Sequence, residues 1–393
     1  MTETLQTAEA QSGNVPRASA NVRHLSRMEL PGGGQVVVQG KYAFVGHQHR
    51  PDGTTILDIS DPRKPVIVSK VMTSHPMSHS HKVRVVGDVM LVNSEIEPGA
   101  GSLRDYPAGG FHIYDIKDKA NPKLITFVKT HGKGTHRFDV DENYAYMSTE
   151  MEGFVGNILV IYDIRNPSKP VEVGRWWIPG QWKAGGEDYP WKDWTPPRCH
   201  HPLRQGDRLY VSYWHHGYYI LDITDMSAPQ LVAGGNTSPA FPHPTHTCLP
   251  MPAPLKNRKV MVVADEDVAK LWPAAPAFTW IYDITNETCP TPIATFQVEG
   301  LDPDGAPQPP MMGCHQPSER FRGTVIPFAW FAKGLRLVDI ADPFHPREVG
   351  CYEPDPPPGC ELASSNDVTI DGRGLLYLID RQRGVDIIET SVI

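Results

Sequence analysis

One motif recurs seven times along the chain, and this repeat limits the possible folds more than any other feature. Each copy is an alternating apolar run that ends in Asp, a turn rich in Asp, Asn and Pro, and a second apolar run, as in GLRLVDIADPFHPREVG at residues 334–350. The marker Asp residues, spaced 47 to 61 residues apart, are Asp58, Asp115, Asp163, Asp222, Asp283, Asp339 and Asp386. Seven units of short strands at this spacing predict a seven-bladed β-propeller with about four strands per blade.

The last unit, GVDIIETSV at residues 384–392, ends at its third predicted strand. The run NVRHLSRMEL at residues 21–30 precedes the first unit and has no partner there. We expect this run to complete blade seven, because closing the ring removes exposed strand edges. The expected organisation is a disordered N-terminal tail over residues 1–20, followed by a single all-β propeller over residues 21–393.

The strand and turn LRLVDIADP at residues 335–343 resemble the motif of the LVIVD-repeat β-propeller family. The resemblance covers nearly the whole chain after about residue 30 and implies the same fold. It leaves the activity open, since propellers serve as binding modules, scaffolds and enzymes.

The composition narrows the classes of partner. A net charge of -8 without a basic cluster argues against nucleic acid as a partner. No apolar run approaches the length of a membrane span, and residues 1–20 lack the apolar core of a signal peptide. We therefore expect a cytoplasmic protein, and its six cysteines to be free thiols rather than a disulfide framework.

When the units are aligned on their marker Asp, the first strand of five of the seven begins with His. These five residues are His81, His136, His200, His246 and His315. Gly34 holds the position in blade one, and Asn366 or Asp367 holds it in blade seven. The first strands of a propeller line its axis, so the five imidazoles should converge, and convergent neutral imidazoles are transition-metal ligands.

We predict one metal ion bound by His81, His136, His200 and His246, with His315 as a further ligand or as a base. Nitrogen ligands favour Fe(II), Mn, Cu or Zn over Mg or Ca, and we favour Fe(II). The alternative is a set of core histidines held at equivalent positions by packing alone.

A second set of aligned positions, at the end of the second strand, holds Glu95, Glu150 and Glu266. Antiparallel pairing places these positions beside the histidines, and a carboxylate often orients a metal-bound imidazole. We expect the three Glu to surround the ligands. The alternative is a rim of solvated carboxylates or an ion pair with Arg381, Arg137 or Lys82.

This pattern is similar in kind to the carotenoid-cleaving oxygenases, propellers that hold iron on four His. It is also similar to the selenium-binding protein and methanethiol oxidase family, and FPHPTHTCLP at residues 241–250 looks like a His-rich stretch there. These similarities imply an oxidoreductase of the oxygenase or oxidase type. Oligogalacturonate lyases, which are propellers with a metal on His ligands, imply that non-redox chemistry is also compatible with such a site.

Long loops enter the predicted site. Residues 176–197 carry five Trp and lead into His200, which is typical of a lid over a small-molecule substrate, with Trp182, Trp191 and Trp194 as substrate contacts. A contact between copies of the chain in a homo-oligomer is the alternative. Residues 96–110 add Arg104 and Tyr106 as candidate substrate contacts, and residues 301–313 form a third loop.

Three hypotheses follow. The favoured one is a metal-dependent oxidoreductase that acts on a small organic substrate. The second is a metal-dependent lyase, isomerase or hydrolase with His315 or Glu150 as the proton carrier. The third is a non-catalytic interaction scaffold whose histidines are structural.

Overall fold

Seven antiparallel sheets are arranged around a central axis as a seven-bladed β-propeller. The computed structural model describes residues 17–98, 100, 106–192, 194–271, 274–299, 301 and 311–393. The predicted all-β, seven-bladed fold is confirmed. Each marker Asp lies on the third strand of its blade.

Within each blade the strands run outward from the axis in sequence order, except that the innermost strand of blade two consists of two short pieces and that the outer strand of blade seven comes from the N-terminal segment. Blades one to four consist of β3 Gly33–Gln39, β4 Tyr42–His47, β5 Asp52–Asp58, β6 Val66–Met72; β7 Ser78–His79, β8 Val83–Val86, β9 Val89–Ile96, β10 Gly110–Asp115, β11 Lys123–Lys129; β12 Thr135–Val140, β13 Tyr144–Glu150, β14 Asn157–Asp163, β15 Val171–Trp176; and β16 His201–Gln205, β17 Arg208–Ser212, β18 Tyr218–Asp222, β19 Gln230–Gly235. Blades five to seven consist of β20 Thr245–Pro250, β21 Val260–Asp265, β22 Thr279–Asp283, β23 Thr291–Phe296; β24 Gln316–Pro317, β25 Val325–Trp330, β26 Gly334–Asp339, β27 Arg347–Glu353; and β28 Ser365–Ile370, β29 Leu376–Asp380, β30 Gly384–Thr390. Two short 3-10 helices, Lys183–Gly185 and Ala269–Leu271, lie in loops.

The ring is closed by the N-terminal segment, as predicted. Strand β2, Val22–Glu29, pairs antiparallel with β30 and becomes the outer strand of blade seven. Strand β1, Arg17–Ala18, lies within the segment predicted to be a disordered tail but pairs with β27 at the edge of blade six. Residues 1–16 of that predicted tail lie outside the described residues.

The repeated Asp has a local structural role that explains the motif. In each of blades one to six its side chain accepts a hydrogen bond from the backbone N–H two residues later, as Asp58 does from Ser60 at 2.8 Å. This Asx turn reverses the chain between the third and fourth strands. In blade seven Asp386 instead accepts from His24 at 2.7 Å and Arg27 at 2.6 Å, both on β2.

The apolar core lies between neighbouring blades rather than at the axis. One buried cluster joins Leu203 of blade four, Val262 of blade five and Trp330 of blade six. Packing of this kind leaves the axis free for polar side chains. Across the described residues, no helix combines the length and apolar character that a membrane crossing requires.

Candidate metal centre at the propeller axis

The five aligned histidines converge at one end of the axis. Successive ring centroids lie 5.0 Å apart for His81–His136 and His136–His200, and 4.4 Å apart for His200–His246 and His246–His315. His79 extends the row, with its ring 4.3 Å from that of His81. The predicted convergence of the His column is confirmed.

The row of histidines stops at blades one and seven. A Cβ atom at Gly34 would lie 2.7 Å from both the Cβ and the carbonyl oxygen of His81, so blade one has no room for a side chain there. In blade seven Asn366 fills the position, and its amide Oδ1 accepts a hydrogen bond from Arg381 Nε at 2.5 Å. The row therefore spans an arc of the axis rather than a complete ring.

The hydrogen bonds of His136 and His200 define their tautomers. His136 Nδ1 lies 2.7 Å from Glu95 Oε2, and His200 Nδ1 lies 3.0 Å from the carbonyl oxygen of His246. Both partners are acceptors, so each Nδ1 carries the proton and each Nε2 carries a lone pair. The two Nε2 atoms face each other at 3.2 Å. Burial, followed by the charge of Arg198, lowers the pKa of His136 to about 3, and burial also lowers that of His200, so a proton between them is disfavoured.

His246 and His315 continue the same orientation. His315 Nδ1 donates to the carbonyl oxygen of Asn366. His246 Nδ1 is 2.7 Å from Thr247 Oγ1, and its Nε2 faces an Arg137 N–H at 3.5 Å, which identifies Nε2 as an acceptor. Glu266 lies between the two rings, 3.7 Å from His246 Nε2 and 3.8 Å from His315 Nε2. Burial raises the pKa of Glu266 above its usual value, although Arg381 and Lys82 oppose the shift.

His81 differs from these four. Asn93 Nδ2 lies 3.3 Å from His81 Nδ1. The orientation of the Asn93 amide follows from its other contacts, because its Oδ1 accepts from Lys82 N at 2.8 Å and its Nδ2 donates to Thr135 O at 3.1 Å. His81 Nδ1 is therefore an acceptor, and the ring proton is on Nε2. His136, His200, His246 and His315 thus each have an Nε2 lone pair, whereas His81 presents its lone pair on Nδ1, toward Asn93.

Among the residues that the structure describes, two groups of side chains could each hold a metal ion, with the donor atoms of each group within 4.8 Å of one another: His79, His81 and Glu95, and His200, His246 and Glu266. Glu95 also orients its neighbours, as its Oε2 accepts from His136 at 2.7 Å and from His79 at 3.0 Å. The sequence placed Glu266 outside the ligands; its position beside two Nε2 atoms makes it a candidate ligand as well.

The remaining predicted site residues are distributed more widely. Glu150 lines the cavity above the histidines, but its Oε2 accepts from the backbone N–H of Lys133 at 2.9 Å rather than from an imidazole. Tyr106 is 1% exposed and its hydroxyl bonds Ser78 at 2.6 Å, so this side chain is inside the protein and not in the cavity wall. Arg104 lies outside the described residues, as do residues 302–310 of the third loop.

The aromatic loop packs beside the cavity rather than over it. Trp182 stacks on Phe154 with ring centroids 6.2 Å apart, and Trp191 and Trp194 pack on His216 at 5.1 and 4.5 Å. None of these three Trp belongs to the described cavity wall, which the chain enters at the end of the loop and directly after it, at residues 195–198. The length of the loop predicted which end of the propeller it borders. Its Trp residues did not predict which side chains line the cavity.

A cavity of about 630 Å³ opens above the histidines, a size suited to a small molecule. One wall is apolar and includes Ile96, Val155, Pro197 and Trp214. Basic side chains in the wall are Lys82, Lys133, Arg198 and Arg381. No motif in the sequence marks Arg198, although it lies two residues before His200.

A charged cluster lies at the other end of the axis. Glu319 accepts hydrogen bonds from Arg84 and, at 3.0 Å, from Arg137, and His201 Nε2 lies 3.0 Å from the same carboxylate. Burial alone would raise the pKa of Glu319, but the charge of Arg84 and the contact with His201 hold it well below its usual value. Glu319 also borders a second cavity, of about 710 Å³, at the opposite mouth.

Comparisons with known proteins agree with the repeat and the fold. The model of the LVIVD repeat matches residues 33–73, 134–177, 205–237 and 328–353, which lie in blades one, three, four and six. No curated protein matches the chain by sequence.

Solved structures with a similar fold include Sqt1 from Saccharomyces cerevisiae (9% identity, TM-score 0.54, covering 92% of this chain and 86% of that one). Raptor from Chaetomium thermophilum is similar at 10% identity and TM-score 0.59, over 96% of this chain and 29% of that one. The periplasmic gluconolactonase PpgL from Pseudomonas aeruginosa is similar at 11% identity and TM-score 0.55, over 82% and 88%. Identities this low show a shared fold alone.

Proposed function

The chain is a seven-bladed β-propeller that carries LVIVD repeats, and from the side chains at its axis we propose that it is a metal-dependent enzyme acting on a small organic substrate. The proposed site is a single transition-metal ion held by His136, His200, His246 and His315, with Glu266 beside it. We favour an oxidoreductase of the oxygenase or oxidase type.

The observation that carries this proposal is the 3.2 Å separation of two Nε2 lone pairs on His136 and His200. Two lone pairs at that distance repel unless a cation lies near both. Two nitrogens bound to one tetrahedral ion with bonds of about 2.0–2.1 Å are about 3.3 Å apart. Because burial disfavours protonation of both rings, a metal ion is the cation that suits the pair.

The donor set supports a redox metal. Imidazole ligands suit Fe, Cu and Zn, and the donor atoms of His200, His246 and Glu266 lie within 4.8 Å of one another. Fe(II), Mn or Cu would supply one-electron chemistry with dioxygen, whereas Zn would supply Lewis acidity. Glu95 holds the His136 tautomer, and the apolar wall at Trp214 limits water near the substrate.

A metal-dependent lyase, isomerase or hydrolase is the second candidate, and the position of Glu266 favours it. This carboxylate lies within 4 Å of His246 Nε2 and His315 Nε2 and has a raised pKa. A carboxyl group in such a place could hold a proton for transfer to or from a substrate.

Metal content tests the proposal directly. Protein purified without a His tag should contain about one Fe, Mn or Cu per chain by plasma mass spectrometry, as expected for a single set of imidazole ligands. The double variant His136→Ala/His246→Ala should lose the metal, because it removes two of the four ligands. His345→Ala is the matched control, since that side chain is exposed at the surface.

No metal in the wild-type protein, even after anaerobic reconstitution, would contradict the proposal and leave a repeat scaffold as the better account. A metal that stays in the double variant would show that it binds elsewhere, for example at His79, His81 and Glu95. Oxygen consumption would separate the redox hypothesis from the second candidate.

The tautomer argument gives a separate prediction for Glu95→Gln. The amide can still contact His136 but lacks the charge that stabilises its Nδ1 proton, so metal affinity should fall by about 10- to 100-fold. Competition with a chromophoric chelator measures this loss. Glu97→Gln is the control, because Glu97 lies at the same mouth but pairs with Arg50 at 3.3 Å. Equal affinity in both variants would contradict the role of Glu95.

A further inference from the structure

The cavity above the metal centre contains basic groups that lack close acidic partners. Lys82 is only 4% exposed, yet its side-chain nitrogen makes no hydrogen bond within the described part of the chain. Arg198 likewise makes no ion pair at hydrogen-bond distance with any described residue, and its guanidinium stacks over the ring of Trp214 at 5.2 Å. Arg198 is half-buried and both side chains line the cavity, so their donors are presented to whatever molecule occupies it.

The two side chains lie close to the metal centre. Trp214, beneath Arg198, packs on the ring of His200 with centroids 4.8 Å apart. Lys82 follows His81 directly and lines the same cavity as His136, His246 and His315. A ligand held by Lys82 and Arg198 would therefore lie over the inward-facing Nε2 atoms.

The acidic groups of the cavity are already engaged. Glu95 bonds His79 and His136, Glu97 pairs with Arg50 at 3.3 Å, and Glu150 accepts from the Lys133 backbone. Glu266 is shared between the His pair and Arg381, which lies 4.0 Å away. The proposed metal ion on the histidines would add further positive charge to the cavity, so the remaining space favours an anionic ligand.

We infer that the substrate is a small carboxylic acid with an apolar, aromatic-sized body, whose carboxylate is bound by Arg198 and Lys82. Arg198 supplies a fork of N–H donors that matches a carboxylate, and the Lys82 amine supplies donors in either protonation state. The apolar body would lie against Ile96, Val155 and Trp214. That the bound carboxylic acid is a substrate rests on the proposed function. That it binds to Arg198 and Lys82 does not.

Calorimetric titration with benzoate and with benzamide tests the inference, because the two differ mainly in charge. Titrations are made on metal-free and metal-loaded protein. Benzoate should bind saturably. Benzamide should bind at least about tenfold more weakly, the loss expected when a charge-assisted pair is removed. Arg198→Met should weaken benzoate by a similar factor and leave benzamide unchanged. Lys183→Met, a cation exposed in the same loop, should change neither.

The outcomes separate the two ideas. If the protein holds no metal but binds benzoate through Arg198, the proposed function fails and the carboxylate site stands. If metal is present but benzoate fails to bind in either form, or binds no better than benzamide, this inference is overturned and the metal centre stands. Arg198→Lys guards against misfolding of the Met variant: it should retain more benzoate affinity than Met, and equal loss in both with normal thermal unfolding would overturn the role of Arg198.

Discussion

Acid should unfold this protein at an unusually mild pH, with a midpoint between about pH 5 and 6 for the metal-free form. Ten described histidines have lowered pKa values, in each case with burial as the largest cause: His47, His81, His112, His136, His200, His201, His215, His216, His246 and His315. In the folded protein these rings stay neutral at pH values at which the same histidines of the unfolded chain bind protons.

The sign follows from proton uptake. A histidine with a lowered folded pKa contributes its full stability above the unfolded value of 6.5 and loses it as pH falls toward the folded value. His112, whose pKa burial lowers to about 4, should cost roughly 1.4 kcal/mol of unfolding free energy at pH 5.5. Buried acids oppose this, since burial raises the pKa of Asp265 to about 7 and of Asp139 and Asp367 to about 6. They are fewer, so the net stability falls.

Urea denaturation of the metal-free protein at pH 7.5, 6.5 and 5.5 measures the effect. His112→Phe tests a single group: its ring packs on Phe127 with centroids 4.6 Å apart, so Phe should fit while removing the titration. The variant should lose about 1.4 kcal/mol less than wild type between pH 7.5 and 5.5. His345→Gln, at an exposed site, should behave like wild type. A flat stability profile over this range would show that the buried rings are hydrated.

The fold could be predicted because the repeat carries its own local chemistry. Asp58 and its equivalents set each turn through a hydrogen bond two residues along the chain, so the signal survives in a single sequence. The alternation of apolar residues predicts which side chains form the core. The run before blade one has no partner in that blade, and as β2 it closes the ring. The short pairing of Arg17–Ala18 with β27 has no such local signal, because it depends on an edge left open by blade six.

The site could be predicted only as far as equivalent positions converge. Alignment brought the five histidines together, but tautomers depend on contacts across blades, such as Asn93 with His81 and His315 with Asn366. Strand alternation places Asn93 and Glu95 on the same face of β9. It does not predict that Asn93 contacts His81. The partner of Arg198 is a ring 16 residues away at Trp214, and the packing of loop residues does not follow strand periodicity.

Replacing Glu319 with Ala should cost about 3–5 kcal/mol of unfolding free energy, the usual loss when one partner of a buried ion pair is removed. Glu319 accepts hydrogen bonds from Arg84 and Arg137, whose side chains are 8% and 1% exposed. Without it, Arg137 has no ion-pair partner among the described residues, and Arg84 retains only Asp139, at 3.5 Å. Two guanidinium groups would then share a channel with little compensating charge.

Equilibrium urea denaturation at pH 7.5 measures this loss, with Glu389→Ala as the control. Glu389 pairs with Arg23, but both side chains are about half exposed, so its removal should cost no more than about 1 kcal/mol. The double variant Glu319→Ala/Arg137→Met should recover part of the loss, because it removes one uncompensated charge. If Glu319→Ala costs as little as the control, water must hydrate the two guanidinium groups. The cavity above the histidines and the one at the opposite mouth would then be joined by a hydrated channel, and a substrate or product would have two routes to the axis.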